Sequence, residues 1–242
     1  MSDLSKISNS LNDVGWFIPP YVGVGLLDEV AFRISSSRGG FTQDDLERVL
    51  SNVYDADRLA SMTVSRYSST PTIELFVETI RESIAAHFLR LGHVAVSGLI
   101  PVVEGAARRL AHGCGVRSTG SIVTVLRALA SHARKDVEKR KIGVVEEIVA
   151  MLDSFTCFVD RYLYVDTGRY ALPDRTNRHG ILHGTYADAD YGKPINFYKT
   201  IAAIDFLTFI SSLNTKRISG FVPNSTSESI RLAEAWRGRR RA

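Results

Sequence analysis

Ile195-Asn-Phe-Tyr-Lys-Thr-Ile-Ala-Ala-Ile-Asp-Phe-Leu-Thr-Phe-Ile210 decides how this chain folds. Ile195, Tyr198, Ile201, Ile204, Leu207 and Ile210 recur through it, and most positions between them are apolar as well. A helix built from this stretch is apolar nearly all round, and such a helix belongs at the centre of a bundle. Neighbouring segments supply the amphipathic helices that cover it. Ser68-Ser-Thr-Pro71 is a helix start with proline in the first turn. The helix it opens is expected to run to about Leu91, carried by Ile73, Phe76, Val77, Ile80, Ile84, Phe88 and Leu91. The apolar run Val94–Val103 continues through Ala106, Ala107 and Leu110 and stops at Gly113-Cys-Gly115. Taken alone, Val94 to Leu99 also fits a buried strand; Pro101 and the lack of a second strand favour helix.

Further helices are read at Ile122–Leu129, from about Gly143 to Val165, and more weakly at Ser225–Trp236. Towards the start, Leu26–Ile34 and Asp55–Ser65 read as short helices. Thr42-Gln-Asp-Asp45 reads as an N-cap with acidic first-turn residues, ahead of Leu46, Val49 and Leu50. The first dozen residues are polar and expected to be loose, while Trp16-Phe-Ile-Pro-Pro-Tyr21 packs on the body as an extended segment. The fold class is therefore all-α, a helical bundle. Residues 1–66 form an N-terminal helical and irregular segment, and residues 67–242 form the bundle proper.

At 242 residues the chain can bury a sizeable core. Its longest apolar run is half of what a membrane span requires. Met1-Ser-Asp-Leu-Ser-Lys lacks the basic-then-apolar layout of a secretion signal, so a cytoplasmic protein with no membrane contact is expected. Cys114 and Cys157 stand far apart, which argues against a disulfide framework or a cysteine zinc site; Cys157 reads as a small core residue. The net charge of +4 sits in Arg231, Arg237, Arg239, Arg240 and Arg241 against Glu234, leaving the rest of the chain balanced. The basic tail can track a phosphate backbone, with Trp236 stacking on a base, or simply aid solubility. Lys135 to Lys141 mixes signs and reads as a solvated face.

One stretch carries chemistry: Arg178-His-Gly-Ile-Leu-His-Gly184. Capping residues in Pro173-Asp-Arg-Thr-Asn177 place residues 178–183 in the first turns of a helix. On that helix His179 and His183 share a face, whereas Arg178 and His183 lie about 140° apart and can border one cleft only where it wraps the helix end. Gly180 and Gly184 permit close approach.

Arg178-His179, three intervening residues and His183 match the Arg-polar-x-x-x-His signature, and here the chain resembles HEPN-type proteins. The Asn177-to-Gly184 phrase, the Asp190-Tyr-Gly192 linker and the apolar helix behind it extend the resemblance over residues 173–213. The resemblance implies a helical bundle, often dimeric, with many members cleaving RNA without a metal or other cofactor. For that chemistry Arg178 would hold phosphate oxygens with its fork and His183 would carry the proton. His179 would be a second proton carrier or orient His183. Two copies meeting on a symmetry axis would bring both His183 side chains to one phosphodiester. Glu104 and Asp160 are candidate acidic partners that spacing does not assign.

The role implied is an endoribonuclease of stress response or phage defence, with a partner protein able to silence it. A non-catalytic module of the same kind, binding a nucleotide, an RNA or a protein, is the second reading. A purely structural helix is the third, with His183 a core histidine and Arg178 paired to Asp174. A metal pair at His179 and His183 lacks the glutamate of the HExxH pattern and any evident third ligand. His87, His93, His112 and His132 are scattered singly and read as structural or surface residues. Gly23-Val-Gly25 has no nucleotide-binding context.

Overall fold

A computed structural model of the chain describes residues 4–37, 39–215 and 220–239. The protein is all-α, with no strand among the described residues. The predicted central helix is α10, Pro194–Thr215, and every residue from 195 to 213 is buried. It is covered by α6 (Gly92–Gly113), α3 (Gln43–Val53) and α7 (Ile122–Arg140). Because α10 is buried on all sides, its polar residues need partners inside the protein. Thr200 and Thr208 donate to the carbonyls one turn back, and Ser211 donates to the Pro71 carbonyl.

Outside this layer, α5 (Val77–Phe88) packs on α6, and α8 (Val145–Phe158) packs on α7. Helix α4 (Ala56–Ser61) packs on the last helix of the chain, and α2 (Val24–Ser36) lies against the first. Helices α4 and α8 both run on through one wide π-helical turn, Met62–Arg66 and Val159–Leu163. Local chemistry sets the ends as expected at Thr42, where its hydroxyl and the Asp45 carboxylate form a reciprocal capping box. No helix among the described residues is long and apolar enough to cross a membrane.

Four expectations are corrected. The start of the chain is expected to be loose, but from residue 4 on it is not: α1, Leu4–Asp13, buries Ile7 and Leu11 against α8. Trp16 and Phe17 follow it into the core, where Phe17 meets Phe155, Phe158 and Phe206 at ring distances of 5.1, 5.0 and 5.8 Å. The single helix expected from Pro71 to Leu91 is broken. Thr72 has φ +74°, which cannot continue a helix, so a short tight turn at Ile73–Phe76 precedes α5. At the other end Arg90 turns left-handed (φ +62°), and Gly92 is the first residue of α6. Trp236 lies on α11, Ser227–Arg239, and is buried with its ring stacked on Phe88 at 5.7 Å, so it offers no face to a base. Cys157 is only partly buried. Arg240 and Arg241 lie outside the described residues.

Candidate functional site

The helix carrying the motif is short: α9 spans Arg178–Leu182. A helix of this length is marginal alone, so its surroundings must hold it. Asn177 does most of this. Its side-chain oxygen accepts from the Gly180 amide at 2.9 Å, capping α9. Its amide nitrogen donates to the carbonyls of Tyr162 (3.1 Å) and Val165 (2.7 Å), at the end of the wide turn that finishes α8. Carbonyls at a helix end lack partners within the helix, and Asn177 supplies them.

A second clamp lies one step earlier in the chain. Asp174 accepts from the Tyr170 hydroxyl at 3.0 Å, from the Thr176 amide at 3.3 Å and from Lys199 of α10 at 3.0 Å. Asn196 adds a bond to the Thr176 hydroxyl at 2.8 Å. Gly180 is needed for packing, since a Cβ there would sit 2.3 Å from the Tyr186 ring. Gly184 adopts φ +69° and ends the element.

These constraints bring the motif side chains together around one cation. Arg178 Nη1 donates to His183 Nε2 at 2.7 Å and approaches His179 Nδ1 at 3.4 Å. On its other edge Arg178 Nε donates to Glu104 Oε1 at 2.6 Å and Nη2 approaches Oε2 at 3.5 Å. A guanidinium has no acceptor, so in this contact His183 Nε2 is the accepting atom. His183 is the C-cap of α9 and its amide bonds the His179 carbonyl at 3.1 Å. Its position just past the helix end lets its ring meet Arg178 despite the angle expected between them. The two imidazoles stack at 5.6 Å with planes 17° apart. His179 is held below the usual histidine range by its burial, with the Arg178 cation and His183 acting in the same direction. The site is shallow and open to solvent: His183 is exposed, and the side chains of Arg178 and Glu104 are each 19 % exposed.

Tyr164 backs the site, its ring edge-on to His179 at 6.5 Å and its buried hydroxyl without a hydrogen-bond partner. Burial raises its pKa, the Glu104 carboxylate adds to that, and the Arg178 and Arg108 cations oppose it.

Of the acids weighed from sequence, Glu104 is at the site. Asp160 is not; it pairs with Arg127 at 2.9 Å. Asp174 does not pair with Arg178, because it is buried against Lys199. Among the remaining histidines, His87 is buried and stacked on Phe197, and His93 packs on Tyr191. No group of three His, Cys, Asp or Glu side chains among the described residues is placed to hold a metal ion. A signal for Glu104 was present in the sequence: it is the single acid inside the apolar stretch from Val94 to Ala107. Tyr164 had none. Compared with known proteins, the chain matches no family model, no curated protein and no solved structure.

Proposed function

We propose that this chain is a HEPN-like, metal-independent endoribonuclease acting at Arg178 and His183. The observation that carries the reading is the Arg178–His183 contact of 2.7 Å, with Glu104 gripping the far edge of the same guanidinium. It joins a permanent cation to an imidazole nitrogen at an accessible surface. Those are the two groups needed to bind a phosphodiester and to take the proton of the neighbouring 2′-hydroxyl.

In the resting arrangement the lone pair of His183 is occupied by Arg178. A bound phosphate oxygen competes for Arg178 Nη1 and frees His183 Nε2, while Glu104 keeps the guanidinium from leaving. The 2′-oxygen then attacks phosphorus as its proton passes to His183 Nε2. The bond from phosphorus to the 5′-oxygen breaks, leaving a 2′,3′-cyclic phosphate. The departing 5′-oxygen takes a proton from a protonated His183 of a second copy in a two-fold dimer. His179, with its lowered pKa, stays neutral near neutral pH; its part is to hold the His183 ring by stacking. A cytoplasmic toxin–antitoxin or phage-defence setting, with a silencing partner protein, follows from this reading.

The test is cleavage of labelled single-stranded RNA in EDTA by wild type, His183→Ala and Arg178→Gln, with melting of each recorded. Cleavage with cyclic phosphate ends, lost by at least about a hundredfold in both variants while they stay folded, is the expected result. Proton NMR titration should place His179 below about 6.5, and Arg178→Gln should move it upward because a cation has been removed. Folded protein that cleaves no RNA of a broad panel would move the assignment to a non-catalytic binding module.

A further inference from the structure

From Gly105 to Lys135 the chain contains no Asp or Glu, yet it carries Arg108, Arg109, Arg117, Arg127, Arg134 and Lys135. The structure divides the five arginines into two groups. Arg127 is neutralised by Asp160, and Arg134 by Glu138 and Asp153. Arg108, Arg109 and Arg117 pair with no carboxylate among the described residues. Arg108 donates to the carbonyls of Ser118 and Gly120 at 3.1 and 3.0 Å. Arg117 donates to the Thr119 carbonyl at 3.3 Å, and Arg109 lies over the Phe76 ring at 6.0 Å. Each bond takes up only part of a guanidinium and leaves the charge uncompensated.

Arg108 and Arg109 line one groove, and Arg117 directly precedes Ser118, which also lines it. A cavity of about 400 Å³ is lined by Arg108, Arg109 and His112 of α6, with Ser118, Thr72 and the 63 % exposed Leu75 around them. Glu74, the neighbouring acid, does not line it. The groove and the candidate site share helix α6. Arg108 follows Glu104 by one helical turn on the same face of α6, about 6 Å along the axis, and His112 follows by another. That rise is on the scale of successive phosphates along a single strand. Leu75 offers an apolar wall for a base.

We propose that this groove holds the phosphates of single-stranded RNA flanking the one at Arg178 and His183, with Arg108, Arg109 and Arg117 as its cations. The proposal rests on the ribonuclease reading of that site and names the substrate it takes: an oligonucleotide strand, gripped beyond the scissile bond.

The experiment uses the full chain carrying His183→Ala as a non-cleaving background and fluorescent oligouridylate as the probe. Affinity is measured across a range of salt with Arg108, Arg109 and Arg117 intact or all changed to Gln. The triple variant is expected to bind at least about tenfold more weakly, with a slope of log affinity against log salt shallower by about 2. Arg108 also braces residues 118–120, so Arg109→Gln with Arg117→Gln is measured as well; its slope should be shallower by about 1.4. Folded variants that bind as the parent does would overturn the groove, as would a parent that does not bind oligouridylate at low salt. Duplex DNA competing as well as RNA would make the surface a general polyanion patch and overturn the single-strand assignment.

Cleavage of a dinucleotide, too short to reach the groove, is measured separately with His183 present. It should be unchanged by the arginine substitutions. Its absence in the wild type would sink the ribonuclease reading, and the oligouridylate result would then decide the groove by itself.

Discussion

Helix α10 carries two buried ion pairs, at Lys199 and Asp205, and they are built differently. Lys199 and Asp174 are both fully buried, and the pair is closed. The ammonium also reaches Gln43 at 2.8 Å, and the carboxylate collects the Tyr170 and Thr176 donors. Asp205 and Arg58 meet at 3.3 Å, with the Tyr67 hydroxyl donating to the carboxylate at 2.5 Å. Around this second pair the hydroxyls of Tyr21 and Tyr54 and the Nε atoms of Arg58 and Arg66 have no hydrogen-bond partner among the described residues. The first cluster clamps the loop that ends in Arg178. The second joins α10 to α4 and to the turns beside it, far in sequence from the motif. Buried charge is costly unless every lone pair and proton is met. The cluster that meets this condition more fully is the one that sets the geometry of the candidate site.

Breaking the first cluster should have the largest effect. Asp174→Ala strands the Lys199 cation with no exposed surface, at a cost of about 3–5 kcal/mol in urea unfolding. It should also broaden the His179 and His183 resonances, since the loop leading into α9 loses its anchor. If the variant unfolds like wild type, the clamp is not what holds the motif.

Asp205→Asn should cost less, about 1–3 kcal/mol, because Arg58 keeps its bond to the Tyr21 carbonyl and its side chain is 11 % exposed. This substitution also tests the electrostatics. Burial raises the Asp205 pKa against the pull of Arg58 and Tyr67. The folded protein then holds this proton more tightly than the unfolded chain. The contribution of Asp205 to stability therefore falls as pH rises from the unfolded value of about 3.9 towards the higher folded one. Asp205→Asn should flatten that part of the stability profile. Lys199 behaves in the opposite sense: burial lowers its pKa, so its own term grows less favourable as pH falls from the unfolded value of about 10.4.

The smallest effect, at Tyr54, is measured against Tyr67 within the second cluster. Tyr67→Phe removes a bond to a carboxylate and should cost about 1.5–3 kcal/mol. Tyr54→Phe removes a hydroxyl that has no partner and should be neutral or stabilising by up to about 1 kcal/mol. Equal losses in the two variants would mean that Tyr54 has a partner, such as a buried water.

The helices were legible from Val94 to Leu110, at Ile122–Leu129 and through α10, because apolar spacing and caps are properties of neighbouring residues. The capping box at Thr42 was legible for the same reason. The break at Thr72 was not, because a left-handed threonine is imposed by packing and leaves no mark in composition. Nor was α1: only Ile7 and Leu11 of its polar sequence are core residues, and they pay off only once α8 is beside them. At the site, Arg178, His179 and His183 could be picked out as a motif. Their mutual contact could not, because it depends on where α9 stops.

Sequence by itself determined that the chain is helical, that α10 is its axis, and which side chains make up the Arg178–His183 motif. Tertiary structure alone decided that Arg178 takes Glu104, 74 residues away, and leaves Asp174 to Lys199. It also decided that Tyr164 closes the back of the site and that three arginines of the acid-free stretch stay unpaired. The reason is the reach of each interaction. Periodicity and capping act within one or two turns of a helix, whereas the pairing of charges follows from how whole helices are rotated against one another in the packed core.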